Sequence, residues 1–409
     1  MQTHKSIHLD SAQHTKLRDS YRHLHRNPEL SMQEHRTADF IAEELLEADM
    51  ETFRCGGTGV VGVVRNGDGP TVAFRADTDG LPIQEETGLA YASQARGTLP
   101  DGTDVPVMHG CGHDVHVACL LGAARLLMQQ RSSWSGTLLL IFQPGEETAA
   151  GARAMVEDGL WERVPQPDLV LGQHVMPIPA GEVRYISGSA MALADSWKVT
   201  LRGRQAHGSQ PQDSIDPIVL GAHVITRLQS IVAREIDARR SAVVTVGTFH
   251  AGLKENIIPD RAEFTLNTRT LDEQTRKQVL AAVRRTILAE AEASAAPTPH
   301  IEELYTFPLL INDPTWTTSV VDALRGELGE EQVVESEPLM GSEDFGILPE
   351  SAQAPGVFWY FGGHDAETLA SSAAPKNHSP HFAPEEQSTL ETGTRAAVAA
   401  LYRSFAGAR

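Results

Sequence analysis

The chain has 409 residues, enough for two or three domains, with 41% apolar and 22% charged residues in ordinary globular proportion. Its 34 glycines and 23 prolines are too few for a collagen-like or linker-type chain, and a formal charge of −20 repels nucleic acid and anionic membrane surfaces. No apolar run approaches the ~18–20 residues of a membrane helix, Met1 to Asp10 holds no signal-peptide core, and three cysteines (Cys55, Cys111, Cys119) cannot form a disulfide framework. The expectation is a soluble cytoplasmic protein without nucleic-acid or membrane partners.

Leu17, Tyr21 and Leu24 recur at helical spacing behind Ser11 as candidate cap, and Phe40, Ile41, Leu45 and Leu46 mark a second helix. Val60 to Val64, following the turn at Gly56–Gly57, and Thr71 to Arg75 read as strands. A helix is expected from about Asp114 to Gln130, with Val117, Leu120, Leu121, Ala124 and Leu127 on one side. Thr137 to Phe142 is apolar almost throughout, as buried parallel strands are. A helix from Ala152 to Asp158, ended by Gly159, and a strand at Leu169 to Leu171 follow. Strands alternating with helices predict an α/β sheet with helices on its faces.

The pattern changes after about residue 187. Trp197, Val199 and Leu201 alternate with polar residues, as in a strand buried on one face. A helix over 214–236, strands at Val244 to Phe249 and Ala262 to Arg269, a helix over 272–293 capped by Asp272 and a strand at Ile301 to Tyr305 follow. The order β-α-β-β-α-β is the ferredoxin-like arrangement. A second domain, residues 188–307, is therefore expected inside a first domain made of 1–187 and 308–409.

Residues with chemical potential gather at element ends. Cys111 and His113 share the glycine-rich loop Met108-His109-Gly110-Cys111-Gly112-His113-Asp114 before the 114–130 helix. A thiolate and an imidazole so close can serve a metal, although an inert loop cysteine is equally compatible with this pair alone. Glu146 and Glu147 follow the apolar 137–142 strand, at the carboxyl end where open α/β sheets bind ligands. Adjacent residues cannot share a face, so one carboxylate would bind metal and the other would move protons; a solvated acidic turn is the ordinary alternative. His174 and Asp77 stand at two further strand ends, and His378 lies in the loop Asn377-His378-Ser379-Pro380-His381. Gly341-Ser342-Glu343-Asp344-Phe345 is another polar loop. In the inserted domain, His207 follows the Trp197 strand and Asn256 precedes Ile257-Ile258-Pro259-Asp260; alone, His207 reads as a hairpin or loop histidine.

From about His23 to Glu386 these pieces, in this order, resemble the M20 metallopeptidase family, and within it the branch of aminoacylases, hippurate hydrolases and auxin-conjugate amidohydrolases. The matching stretches are His25-Arg26-Asn27-Pro28-Glu29-Leu30, Phe74 to Pro82, Met108 to His116, Gln143 to Glu147, Gly172 to His174, Asn256 to Asp260, Gly341 to Phe345 and His378 to Phe382. The resemblance implies a zinc-peptidase-like α/β catalytic domain and a ferredoxin-like lid that also forms a homodimer. It implies two divalent ions per chain (zinc, manganese or cobalt), with Cys111 bridging, His113 and His174 completing one ion, and Glu147 and His378 the other. Glu146 would be general base to metal-activated water, and Asp77 would orient a metal ligand. His207 and Asn256 would reach an active site, that of the partner subunit, with Arg269 and Ser342 also contacting substrate. The implied reaction is hydrolysis of N-acyl amino acids.

Most of the wider family bridges its ions with a carboxylate, whereas this sequence carries the branch's cysteine. The branch's Gly-Gly-His-Ala-Ala-x-Pro-His run is here Gln205-Ala206-His207-Gly208-Ser209-Gln210-Pro211-Gln212, which keeps His207 and loses the second histidine. Gly110 and Gly145 stand where alanine is common, with a slight effect on packing expected. The competing readings are a metallo-dipeptidase, a catalytically silent metal-binding scaffold and a Cys111 thiol nucleophile. An NAD-type oxidoreductase is disfavoured, because no Gly-x-Gly-x-x-Gly run follows an early strand.

Overall fold

The computed structural model describes residues 7–407, so part of the polar N-terminal stretch lies outside the described residues. The chain divides into two compact units. The first comprises the residues up to Ala190, Ile311–Glu337 and those from Asp344 on; the second is Met191–Leu310 with Pro338–Glu343.

The first unit is built on an eight-stranded mixed sheet. Its spatial order is Glu51–Cys55, Gly59–Asn66, Gly136–Gln143, Thr71–Asp77, Leu169–Pro179, Gly356–His364, Val183–Tyr185 and Val333–Glu335. The four central strands, from Gly136–Gln143 to Gly356–His364, run parallel. Both faces of the centre are covered. Leu138, Leu140 and Phe142 join a core with Leu17, Tyr21, Leu121 and Leu401, while Leu139 and Ile141, pointing the other way, are equally inaccessible. Gly136–Gln143 is parallel to Thr71–Asp77 but antiparallel to Gly59–Asn66 on its other side, which makes the sheet mixed.

Several expectations shift in detail. The first helix, Ser11–Arg26, is capped by Asp10 rather than Ser11, because the Asp10 carboxylate accepts from Ala12 N and Gln13 N while Gln13 returns the bond to Asp10 N. His174 does not end its strand, which continues to Pro179 because Val175 and Met176 go on pairing with Phe361 and Gly362. Beyond residue 308, where no element was predicted, the structure has the helices Pro314–Leu328 and Glu386–Phe405 and the wholly buried strand Gly356–His364.

In the second unit the strands Ala242–Ala251, Arg261–Thr270, Leu193–Arg202 and His300–Phe307 pair in that order, all antiparallel. This is the ferredoxin-like order. Helices Pro217–Glu235 and Glu273–Ala293 supply Leu220, Val224, Val279 and Val283 to a core with Trp197, Val199 and Phe264. The loop 338–343, expected with the first domain, groups with this unit: Ala192 N donates to Gly341 O and Arg269 Nη1 to Met340 O. Among the described residues no helix is long and apolar enough to cross a membrane.

Candidate metal centre

Four backbone features bring the candidate ligands together at the carboxyl ends of the parallel strands. Gly112 caps the helix His113–Gln129 in the left-handed region (φ 85°), where a Cβ would lie 2.4 Å from Val175 Cγ1. Glycine is therefore required between Cys111 and His113. Glu146 and Glu147 sit in a short 3-10 turn entered through Gly145 at φ 56°. An alanine at Gly145 would meet Met32 Sδ at 2.6 Å in a disfavoured backbone conformation, a larger effect than expected, whereas Gly110 has only ordinary contacts. His378, itself at φ 67°, is held against the cysteine loop by its own N–H on Gly110 O (2.7 Å) and by Asn377 Nδ2 on Cys111 O (3.2 Å).

Cys111, His113 and Glu147 each offer a ligand atom within 4.8 Å of the others. His174 Nε2 lies 3.4 Å from Cys111 Sγ, and His378 Nε2 lies 3.3 Å from Glu147 Oε1. The five predicted ligands thus converge. His113 donates Nδ1–H to Asp79 O (2.9 Å) and Oδ1 (3.1 Å), and His174 donates Nδ1–H to Val175 O (2.7 Å). A singly protonated ring is then left with its Nε2 lone pair facing the cluster; burial opposes charge on His113, but Asp77 and Asp79 prevail and raise it well above the ordinary imidazole range while no metal is bound. The His113 Nε2 atom is buried and makes no hydrogen bond, with carboxylate oxygens only at 3.6 Å (Asp77) and 3.9 Å (Glu147). A buried ring nitrogen without a partner, facing a thiol and a carboxylate, fits a divalent metal.

His116 belongs to the surroundings rather than to the ligands. It donates Nδ1–H to Asp77 (2.5 Å) and accepts at Nε2 from Val175 N (2.8 Å), so neither nitrogen is available. Asp77 therefore reaches the His174 strand through His116 and makes no hydrogen bond to a candidate ligand histidine; that bond belongs to Asp79. Burial alone would raise the Asp77 carboxyl, but Arg75, His113 and His116 override it and hold it well below the usual range. Buried Arg75 also joins Asp344 (3.1 Å) and Gln143 (2.9 Å) beneath the strand ends. Burial, with His116 beside it, keeps His174 neutral. Burial and then Glu147 push the Cys111 thiol up. Without metal it is no activated nucleophile.

The helix Ser11–Arg26 braces the same region through His25, buried between Asp114 (2.7 Å) and Glu85 (3.0 Å). Burial opposes its charge, but the two carboxylates prevail and raise its pKa to about 9. Sequence reasoning singled out neither His116 nor Asp79, although one lies at i+3 from His113 on the same helix face and the other two residues beyond Asp77.

Glu34 holds the other side of the Glu146 turn. It is fully buried, and accepts from Gly145 N (2.8 Å), Met32 N (2.9 Å) and Thr58 Oγ1. Burial, then repulsion by Asp79, lifts its carboxyl from 4.5 to about 7. The folded state thus binds this proton more tightly than the unfolded state, so the stability this residue contributes falls as pH rises from 4.5 to about 7. Glu34→Gln keeps the acceptor without the charge. In the metal-free protein it is expected to gain on wild type by up to about 3 kcal/mol between pH ~5 and ~8. Denaturant midpoints across that range check this, and a pH-independent difference would refute it.

In the second unit, the two-residue strands Ala206–His207 and Ile257–Ile258 pair, and Gly208 N donates to Asn256 O (2.8 Å). His207 and Asn256 thereby become neighbours. His207 is exposed, on a ribbon as a hairpin histidine would be, and its Nδ1 accepts from Ser209 N (3.1 Å), which leaves Nε2–H as donor. Arg269 donates to Ser342 Oγ (3.3 Å) and to Asn267 Oδ1 (3.0 Å), so that predicted pair is also brought together.

Residues 73–403 match the model of a family described as peptidase family M20/M25/M40. A thermostable carboxypeptidase of Saccharolobus solfataricus is 36% identical over 373 residues, covering 89% of each chain. An N-acetylcysteine deacetylase of Bacillus subtilis is 37% identical, covering 92% of this chain and 94% of its own. The crystal structure of a dinuclear metal-binding M20 peptidase from Bacillus subtilis superposes with a TM-score of 0.77 at 32% identity, covering 97% of this chain and all of its own.

Proposed function

The chain belongs to peptidase family M20/M25/M40 and is a hydrolase, and on that premise we propose that it cleaves the amide bond of N-acyl amino acids, with two divalent metal ions held by Cys111, His113, His174, Glu147 and His378. The observation that carries this reading is the convergence of a thiol, imidazoles and a carboxylate beside a second carboxylate, Glu146. Relatives named as a carboxypeptidase and an N-acetylcysteine deacetylase support it, since both names describe release of an amino acid from an acyl group on its nitrogen. Zinc, manganese or cobalt fits the donor set, the thiolate favouring zinc.

Bound metal supplies Lewis acidity, which polarises a carbonyl and lowers the pKa of water toward ~7 for zinc. Glu146 accepts a proton from the attacking water and returns it to the leaving amine nitrogen. His207 of the partner subunit donates Nε2–H to the carbonyl oxygen as charge develops there, with Asn256 of the partner subunit beside it, and Arg269 and Ser342 contact the substrate. Asp77 fixes the His174 strand through His116. The second unit acts as lid and as the contact of a homodimer. Three free buried cysteines, one of them a ligand, suit a reducing cytoplasm.

The test is metal analysis, sedimentation and an amide panel on one preparation, before and after chelation. The expected result is about two ions per chain, a dimer, and chelator-sensitive release of free amino acid from N-acyl amino acids. No bound ion and no hydrolysis with added zinc, manganese or cobalt would overturn the reading. The carboxypeptidase relative gives peptide cleavage the place of second reading. Peptides in the same panel decide between the two.

A further inference from the structure

His25 is fully buried, and each of its ring nitrogens faces a carboxylate. Nδ1 lies 2.7 Å from Asp114 Oδ2, at the head of the His113 helix, and Nε2 lies 3.0 Å from Glu85 Oε1. Glu85 is buried as well; its Oε2 accepts from Ser93 N (2.6 Å) and its Oε1 also accepts from Thr87 Oγ1. The next residue, Glu86, holds the His378 loop with its backbone. Its N–H donates to Pro380 O (2.8 Å), and its carbonyl accepts from His381 Nδ1–H (2.9 Å). The same loop rests on the cysteine loop through His378 N on Gly110 O (2.7 Å). One support of the His378 loop thus continues into Glu85 and the other into the start of the His113 helix, and His25 is the side chain that joins them.

We propose that His25 is a positioning residue for the His378 loop, tying the Glu85–Glu86 segment to the head of the His113 helix by donating from both ring nitrogens. The proposal rests on the reading above that His378 is a metal ligand. Two ionised carboxylates can only accept, so the ring satisfies both only while it carries two protons. Around it stand Tyr21 and Arg22 of its own helix, Tyr91 (rings 5.3 Å apart), His109 and Glu386. Arg22 is engaged by Glu386 (2.6 Å), and burial holds His109 below the ordinary imidazole range. The second proton is kept in the folded state up to a pH of about 9 and lost from the unfolded state near 6.5. The stability His25 contributes is therefore full below 6.5 and gone once pH rises through about 9. Above that, one ring nitrogen becomes an acceptor facing a carboxylate, and the tie opens. Glu85→Gln removes this dependence. Its amide oxygen keeps the Ser93 bond, and its NH₂ faces the ring and Thr87. A singly protonated ring, with Nδ1–H on Asp114 and Nε2 accepting, then makes both bonds.

The experiment follows hydrogen exchange at the Glu86 and His378 amides of the metal-free full-length protein from pH ~6 to ~10, corrected for the intrinsic exchange rate. Stepwise affinities for cobalt alone are measured at neutral pH on the same samples. In wild type the protection of both amides is expected to fall by ~10–100-fold across that range. In Glu85→Gln it should stay level, a rescue that packing alone would not produce. Ring ¹⁵N NMR at neutral pH should show both His25 nitrogens protonated in wild type and one in Glu85→Gln. His25→Gln should weaken the same cobalt step as His378→Ala, by ~10–100-fold; where that variant fails to fold, Glu85→Gln carries the test. Protection independent of pH in wild type, the same fall in Glu85→Gln, or two unchanged cobalt steps in a folded His25→Gln would overturn the proposal. If His378→Ala binds both ions as wild type does, the ligand assignment fails, and exchange at the two amides still decides whether His25 holds this loop.

Discussion

Glu146→Gln is expected to keep the metal content of the wild-type protein and to lose turnover by ~10²–10⁴, the usual contribution of a positioned general base. Glu146 and Glu147 are adjacent in a tight turn, so their side chains diverge. Glu147 points its Oε1 toward His378 and His113, at 3.3 and 3.9 Å, and groups with Cys111. Glu146 stands outside that group and is 6% exposed. Glutamine preserves its shape and removes its basicity. Elemental analysis and kcat on the same sample check the result. Metal lost in step with activity would make Glu146 a ligand, and an unchanged kcat would remove it from the reaction. A catalytically silent scaffold has no use for Glu146, so the same variant separates enzyme from binder.

The parts of this centre that were legible in the sequence are those whose partners lie within a few residues. The Cys111–His113 loop declares itself because Gly112 must occupy a left-handed position against Val175. The Glu146–Glu147 turn does so because it follows an unbroken apolar strand. Asp79 stayed in the background for the opposite reason. Its partners Ser31, His113 and Glu147 are 48, 34 and 68 positions away, and no local pattern distinguishes it from Asp77, which shares its face of the chain. The two aspartates are told apart only by what the fold brings to each. The same limit explains the strand Gly356–His364: a short run buried on both faces has no periodicity, so sequence cannot separate it from a buried helix. The last helix, Glu386–Phe405, packs almost every face with alanines and small residues, which blurs its amphipathic stripe. Conversely, Arg261–Thr270 alternates cleanly between buried and less buried residues, and it was read correctly.

Cys111→Ala is expected to lose bound metal and to lower activity by at least ~10², since it removes the ligand proposed to be shared by both ions. Cys111→Asp is expected to recover both in part, because a carboxylate can also bridge two cations and occupies a similar volume. The pair of variants separates two chemistries that place the same residue at the centre. A thiol nucleophile would need a free thiolate, yet burial and then Glu147 raise the Cys111 thiol against the lowering effect of His113 and His378, and His174, 3.4 Å away, is held neutral. A covalent mechanism predicts activity that survives chelation, an acyl adduct on Cys111 and a dead aspartate variant. The metal mechanism predicts chelator-sensitive activity, no adduct and an aspartate variant that regains ions and turnover together. Metal stoichiometry, intact-protein mass spectrometry under substrate and kcat for the two variants decide between them. An aspartate variant that binds two ions but never turns over would leave Cys111 as a ligand and require that sulfur, rather than charge alone, tunes the bound ions.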